Sequence, residues 1–209
     1  MVTESRQQKI VSRLHELRDE IEQEITHLLK EERVAFKYTL KQSRVRFDEG
    51  IKKLHKRQRI SSLRYLLSAN IKHVISAPLI LSLIVPLALL DLWVTLYQMI
   101  CFPLYGIPRV DRSHYLVLDR HHLSYLNTIE KINCLYCGYG NGVLDFAREV
   151  ASQTEQYWCP IKHARRSAGQ NLRQSKFSSY GDADNYRDQL ARFREELKQA
   201  ETSETADER

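Results

Sequence analysis

Cys134–Gly142 reads CLYCGYGNG, and Trp158–His163 reads WCPIKH. How the first stretch folds decides the C-terminal half of the chain. Three of the four cysteines lie in these two pieces, and His163 follows Cys159 at metal-ligand spacing. Cys134-x2-Cys137 with Cys159-x3-His163 makes a Cys3His set, and one tight turn can let two thiolates share a zinc ion. Three glycines within five residues, at Gly138, Gly140 and Gly142, are signals for such a turn.

The flanking residues are helical in pattern. Leu123, Leu126, Ile129/Glu130 and Ile132/Asn133 recur at helical steps, with Asp119 as an N-cap candidate. Beyond the glycines Asn141 is placed to cap a second helix through Val143, Phe146/Ala147, Val150, Thr154 and Tyr157. Helix, glycine turn, helix predicts a small antiparallel αα-hairpin with CLYCGYGNG at its tip. A helix from 142 to 157 is roughly 24 Å long, so it carries Cys159 away from Cys137. Two arrangements stay open. Cys134, Cys137, Cys159 and His163 form one site only if the segments fold back or two chains share ligands. Otherwise the open end of the hairpin gathers His121, His122, Cys159 and His163, with His114 and Asp119 nearby, and imidazoles suit zinc or iron. A thiol–disulfide pair at Cys134/Cys137 is a further reading, and plain structure without chemistry is another. Cys101, inside the apolar segment, reads as a small core residue.

The run Cys134-x2-Cys137-Gly138-Tyr139 followed by Cys159-Pro160 resembles the metal knuckle of rubredoxins and zinc ribbons. The resemblance covers fewer than ten residues and lacks a second CxxC, so it implies a similar turn chemistry and no shared family. His114-x4-Asp119 has the spacing used by membrane glycerolipid acyltransferases. Here it stands in HYLVLD, whose alternation predicts a short strand with the two side chains on opposite faces. No phosphate loop, HExxH or nucleophile elbow occurs.

Upstream, Val74–Phe102 is an apolar segment with Asp91 as its only ionisable residue. As a helix it is roughly 43 Å long, beyond the ~30 Å hydrocarbon core. It also lacks the polar face expected of a soluble helix. Two topologies fit. Val74–Leu90 forms a short span with Asp91, Trp93 and Tyr97 at the far interface, or Pro86 breaks the helix into a re-entrant hairpin. The hairpin keeps both flanks in the cytoplasm, which suits reduced CxxC cysteines, and is preferred. Residues 34–73 carry 11 basic and 2 acidic side chains, a +9 balance within a net +6, so the charge faces anionic lipid headgroups. No aromatic–basic signature points to nucleic acid. The N-terminus has no apolar core or cleavage site of a signal peptide.

Leu14, Leu17, Ile21, Ile25 and Leu28 alternate steps of three and four, an amphipathic stripe that fits either a dimerising coiled coil or an ordinary helix packed on its own chain. Ala35, Phe47, Ile51 and Leu54 extend it, and one or two helices are expected from about Ser5 to Asn70. After His163 the chain turns polar, predicting a flexible linker, a charged helix over 184–200 and a disordered acidic end.

The expected fold is therefore mostly α. A basic, coiled-coil-like region (1–73) precedes a membrane-embedded segment (74–108). A Cys/His hairpin (109–163) and a flexible tail (164–209) follow. The expected function is a membrane-anchored, non-enzymatic scaffold or adaptor with a metal-stabilised hairpin, zinc before iron. The alternative is a membrane-surface metal or thiol-redox enzyme working through His121, His122, Cys159 and His163.

Overall fold

The computed structural model describes residues 2–35, 38–41, 44–47, 49–165 and 171–207. It is mostly helical and divides into two compact units, Met1–Tyr65 with Asp119–Glu130, and Leu66–Leu118 with Lys131–Arg209.

In the first unit α1 (Val2–Ala35) is one uninterrupted helix. The expected helical continuation gives way to an antiparallel hairpin, β1 (Tyr38–Lys41) and β2 (Arg44–Phe47), paired from Tyr38↔Phe47 to Lys41↔Arg44. The reason is a change of period: Tyr38/Leu40 and Val45/Phe47 alternate every second residue, which suits a strand and not a helix. A short basic helix α2 (Glu49–Arg57) follows. Its His55 ring stacks edge-on against Phe47, centroids 5.4 Å apart, and against Tyr125 at 5.2 Å. α3 (Ser62–Ser68) leads out of this unit.

The second unit is built on the apolar helix. α4 (Ile71–Ser82) and α5 (Ile84–Tyr105) together form a 35-residue helical segment long and apolar enough to cross a membrane. Asn70 caps α4 by accepting from the Lys72 N–H. The break at Leu83 sits where Pro86 withdraws the donor for Ser82 and crowds its carbonyl. Leu83 nevertheless keeps right-handed φ/ψ of −63° and −14°. Such a residue bends a helix without reversing it, so the segment does not double back as the re-entrant hairpin requires. Gly106, at φ 65°, ends α5 in a left-handed cap, with the Ile107 N–H donating to the Phe102 carbonyl.

The αα-hairpin is replaced by one helix, α6 (Thr128–Trp158), which runs straight through CLYCGYGNG. It starts at a capping box: Asn127 accepts from the Glu130 N–H, and Glu130 accepts from the Asn127 N–H. Asp119 instead precedes a single 3-10 turn, Arg120–His122, without a side-chain cap. Asn141 caps nothing; its amide donates one turn back to the Cys137 carbonyl. The expected strand at Ser113–Asp119 is a 3-10 turn, Arg112–His114, followed by irregular chain.

The tail is not loose where it is described. A 3-10 turn, Leu172–Lys176, precedes α7 (Tyr186–Asp207), which extends past the expected helix through much of the acidic end. Leu190, Phe193 and Leu197, at i, i+3 and i+7, are buried, and Phe177 stacks on Phe193 at 5.9 Å. These apolar contacts hold a segment whose mean composition alone would leave it disordered. Residues 166–170 of the expected linker, and Glu208 and Arg209, lie outside the described residues. The core joins Phe102, Ile107, Val110, Phe146, Val150 and Leu197, with Tyr97, Tyr105, Tyr115 and Tyr157 packed around it.

Candidate functional site

The most distinctive chemistry lies along the inner face of the apolar helix. Asp91, Val94, Gln98, Phe102 and Tyr105 follow one another at three- and four-residue steps, so they share one side of α5. Asp91 is buried. It accepts two bonds from the Arg112 guanidinium, Nε to Oδ1 at 2.9 Å and Nη2 to Oδ2 at 2.6 Å. The Tyr139 hydroxyl of α6 donates to Oδ2 at 2.9 Å. A forked guanidinium matched to a carboxylate is the strong form of ion pair. It raises the Arg112 pKa further above its ordinary value. Burial, then the bond to Asp91, raises the Tyr139 phenol.

One turn pair further on, the Gln98 amide acts as a backbone surrogate. Its Nε2 donates to the Val110 carbonyl at 3.2 Å and its Oε1 accepts from the Val110 N–H at 3.1 Å. Tyr97 and Thr154 share a hydroxyl contact at 3.1 Å. Polar groups inside this otherwise apolar helix are thus satisfied against α6 and the return segment after Gly106.

The glycines of CLYCGYGNG make this packing close. Gly138, Gly140 and Gly142 are buried inside α6. A Cβ at Gly142 would lie 2.7 Å from the Tyr115 carbonyl oxygen and 3.1 Å from Leu116 Cα. At Gly140 it would meet Leu87 Cδ1 at 3.2 Å. Gly140 and Gly142, two residues apart and so on different sides of α6, let α5 and the return segment approach the helix closely, as small residues do between membrane helices. The Tyr136 hydroxyl also donates to the Ile80 carbonyl at 2.7 Å.

The opposite face is bare. Ile71 (67 % exposed), Ile75 (72 %), Leu79 (75 %), Leu89 (61 %), Trp93 (74 %), Ile100 (59 %) and Leu104 (75 %) form one continuous row. The row carries no charge.

The six Cys/His candidates are dispersed. Cys134 and Cys137 lie one turn apart in mid-helix on α6. Cys159 follows the end of that helix, roughly 33 Å from Cys137 along the axis. One chain therefore does not close a site from Cys134, Cys137, Cys159 and His163. WCPIKH instead docks on the tail: Ile161 bridges Ser178, Lys162 N–H donates to the Ser178 carbonyl and Ser178 N–H to the Pro160 carbonyl, both at 2.8 Å. His163 is exposed. His121 and His122 stack with centroids 3.9 Å apart in the first unit. All four cysteines are free thiols. Among the described residues no group of three or more His, Cys, Asp and Glu is placed to hold a metal ion. His114 pairs at 3.6 Å with Asp111, not with Asp119.

The sequence reading missed Gln98, Arg112, Tyr139 and the packing role of the glycines. Asp91 and Gln98 seven residues apart, hence on one helix face, was the available signal. Compared with known proteins, the chain matches no family model, no curated protein and no solved structure.

Proposed function

We propose that this chain is a membrane-anchored, non-enzymatic scaffold or adaptor whose anchor is the apolar helix α4–α5. The observation that carries the reading is the uncharged exposed row from Ile71 to Leu104, set on a helical segment whose Asp91 and Gln98 are both turned to protein. Exposed apolar patches of this extent mark a surface that meets another apolar phase. The basic stretch of residues 34–73 adds attraction to anionic headgroups. The water-facing parts then present two surfaces for assembly: the α1 row and the helical unit closed by α7.

No observation gathers the His121, His122, Cys159 and His163 set that the enzymatic alternative needs, and the scaffold reading does without a metal. α1 exposes Leu14, Leu17, Ile21, Ile25 and Leu28 at between 42 % and 58 %, which supports self-association through that helix as part of the same proposal.

Fractionation tests the anchor. The full chain is expected to sediment with membranes, to stay there in alkaline carbonate and to be released by detergent. Recovery in the carbonate supernatant would remove the proposal.

A further inference from the structure

We propose that α2 carries a second membrane contact, a basic face that docks on anionic phospholipid headgroups. The proposal deepens the anchored reading above and rests on it: the apolar segment holds the chain on the bilayer, and α2 lays the first unit against the bilayer surface.

The face follows from the order of residues in one short helix. Along Glu49–Arg57 successive side chains turn by about 100°. Ile51 and His55, four apart, share one side. His55 is held there by its edge-on contacts with Phe47 and Tyr125. Lys53 then stands on the opposite side, with Lys52, Lys56 and Arg57 all within about 100° of it. The exposures agree: Lys53, Lys56 and Arg57 are exposed, while Ile51 and His55 are partly covered.

Charge decides what such a face meets. Between residues 49 and 64 six basic side chains stand against one acidic, Glu49. Lys52 engages Glu49 at 2.9 Å, which leaves Lys53, Lys56 and Arg57 without a carboxylate on their own helix. Anionic lipid complements this surplus, and each basic residue near such a surface favours docking roughly fivefold.

Nucleic acid carries the same charge, and the neighbouring residues separate the two. Leu54 borders the basic face, and it is exposed, as are Ile60, Leu63 and Leu67. Arg59 and Arg64 are interleaved with them. Aliphatic side chains among cations suit phosphate lying over hydrocarbon. Single-stranded nucleic acid calls for aromatic platforms, and residues 49–64 hold no Phe, Tyr or Trp. Connectivity adds to the argument. Thirteen residues, 58–70, join α2 to α4, a tether of at most about 45 Å. With the anchor in place, headgroups lie within its reach and several weak contacts act together.

A tryptophan beside the face tests this in the full chain. Leu54→Trp is combined with Trp93→Phe and Trp158→Phe, and the chain is reconstituted in vesicles brominated near the headgroup end of the acyl chains. The introduced indole is expected to be quenched when phosphatidylcholine is mixed with phosphatidylglycerol, and not in phosphatidylcholine alone. Quenching is expected to vanish in about 0.5 M salt, where screening is short-ranged. It is also expected to vanish when Lys52, Lys53, Lys56 and Arg57 are replaced by Gln, with the chain sedimenting with vesicles throughout. Quenching that ignores phosphatidylglycerol, or that survives the four substitutions, overturns the basic face and leaves the anchor standing. So does sedimentation with no quenching at all. Sedimentation only with phosphatidylglycerol, reversed by salt, removes the anchor and leaves α2 as the contact. An oligonucleotide retained by the chain and lost in the fourfold variant, without quenching in vesicles, overturns the proposal in favour of nucleic acid. Should that variant lose its helical circular dichroism, Lys53→Gln alone is expected to weaken docking roughly fivefold. An unchanged dependence on phosphatidylglycerol would then overturn the proposal.

Discussion

α1 and α4–α5 each display a row of exposed Leu and Ile, yet they differ in what stands behind the row. Behind that of α1 are solvated charges, paired along the helix as Arg18–Glu22 at 2.9 Å and Arg13–Glu16 at 3.5 Å. Behind that of α4–α5 are a buried carboxylate, a forked guanidinium and a glycine-lined neighbour. A row bordered by water on both flanks is narrow and suits another narrow row, a second helix. A row whose back is protein from Leu87 onward, and whose front is uncharged throughout, suits a continuous apolar phase. The partner is chosen by the reverse side of the helix as much as by the row.

The comparison breaks most readily at the back of α5. Gly142→Ala places a Cβ against main-chain atoms that have no rotamer to change. Overpacking of about 2–3 kcal/mol outweighs the ~1 kcal/mol that Ala brings to a helix interior. Net loss of roughly 1–2 kcal/mol is expected, read as a fall of several degrees in the melting midpoint in detergent. Gly140→Ala meets only the tip of Leu87, which can shift, so its midpoint is expected to hold or rise. Equal losses at both positions would show that the glycines matter for flexibility and not for approach.

A smaller effect comes from Tyr139. Its pKa is raised in the folded chain, first by burial and then by the bond to Asp91. The protonated phenol is therefore the form the fold favours. Its contribution is complete below the ordinary value of 10.0 and is lost as pH climbs through the higher folded value. Denaturant titrations are expected to show stability falling above pH 10.0, with a shallower fall in Tyr139→Phe. An unchanged slope would place the hydroxyl outside the Asp91 seam.

The least change to the fold is expected on α1. Replacing Leu14, Ile21 and Leu28 with Ser should lower the sedimentation mass from dimer to monomer. The unfolding free energy of the second unit should stay within about 0.5 kcal/mol, as it generally does for surface substitutions. Vesicle binding should be unaffected. Loss of binding would erase the distinction drawn between the two rows.

Much of this architecture was legible because it is local. The apolar segment, the α1 stripe and the register of Val143, Phe146 and Val150 announce themselves by period, and the last three are buried as that period implies. What escaped is non-local. Arg112 finds Asp91 across 21 residues, and nothing near either marks the pairing. Gly138, Gly140 and Gly142 carry the same letters whether a chain turns or a helix is approached. Only the position of the Tyr115 carbonyl separates the two. With the glycines taken for a turn, Cys134 and Cys137 looked like half of a metal knuckle, and the helix that separates them from Cys159 was cut short. The β-hairpin escaped for the opposite reason. Its alternation is plain, but it lies between helices in a stretch without Gly or Pro to punctuate it.

The glycines have a consequence for biosynthesis. Three of them inside α6 weaken its first half as an independent helix by about 2–3 kcal/mol relative to alanine. That half becomes helical against α5 and the return segment, both made earlier on the ribosome. A chain in which α5 and the return segment are not yet in place lacks the surface on which the first half of α6 finishes folding.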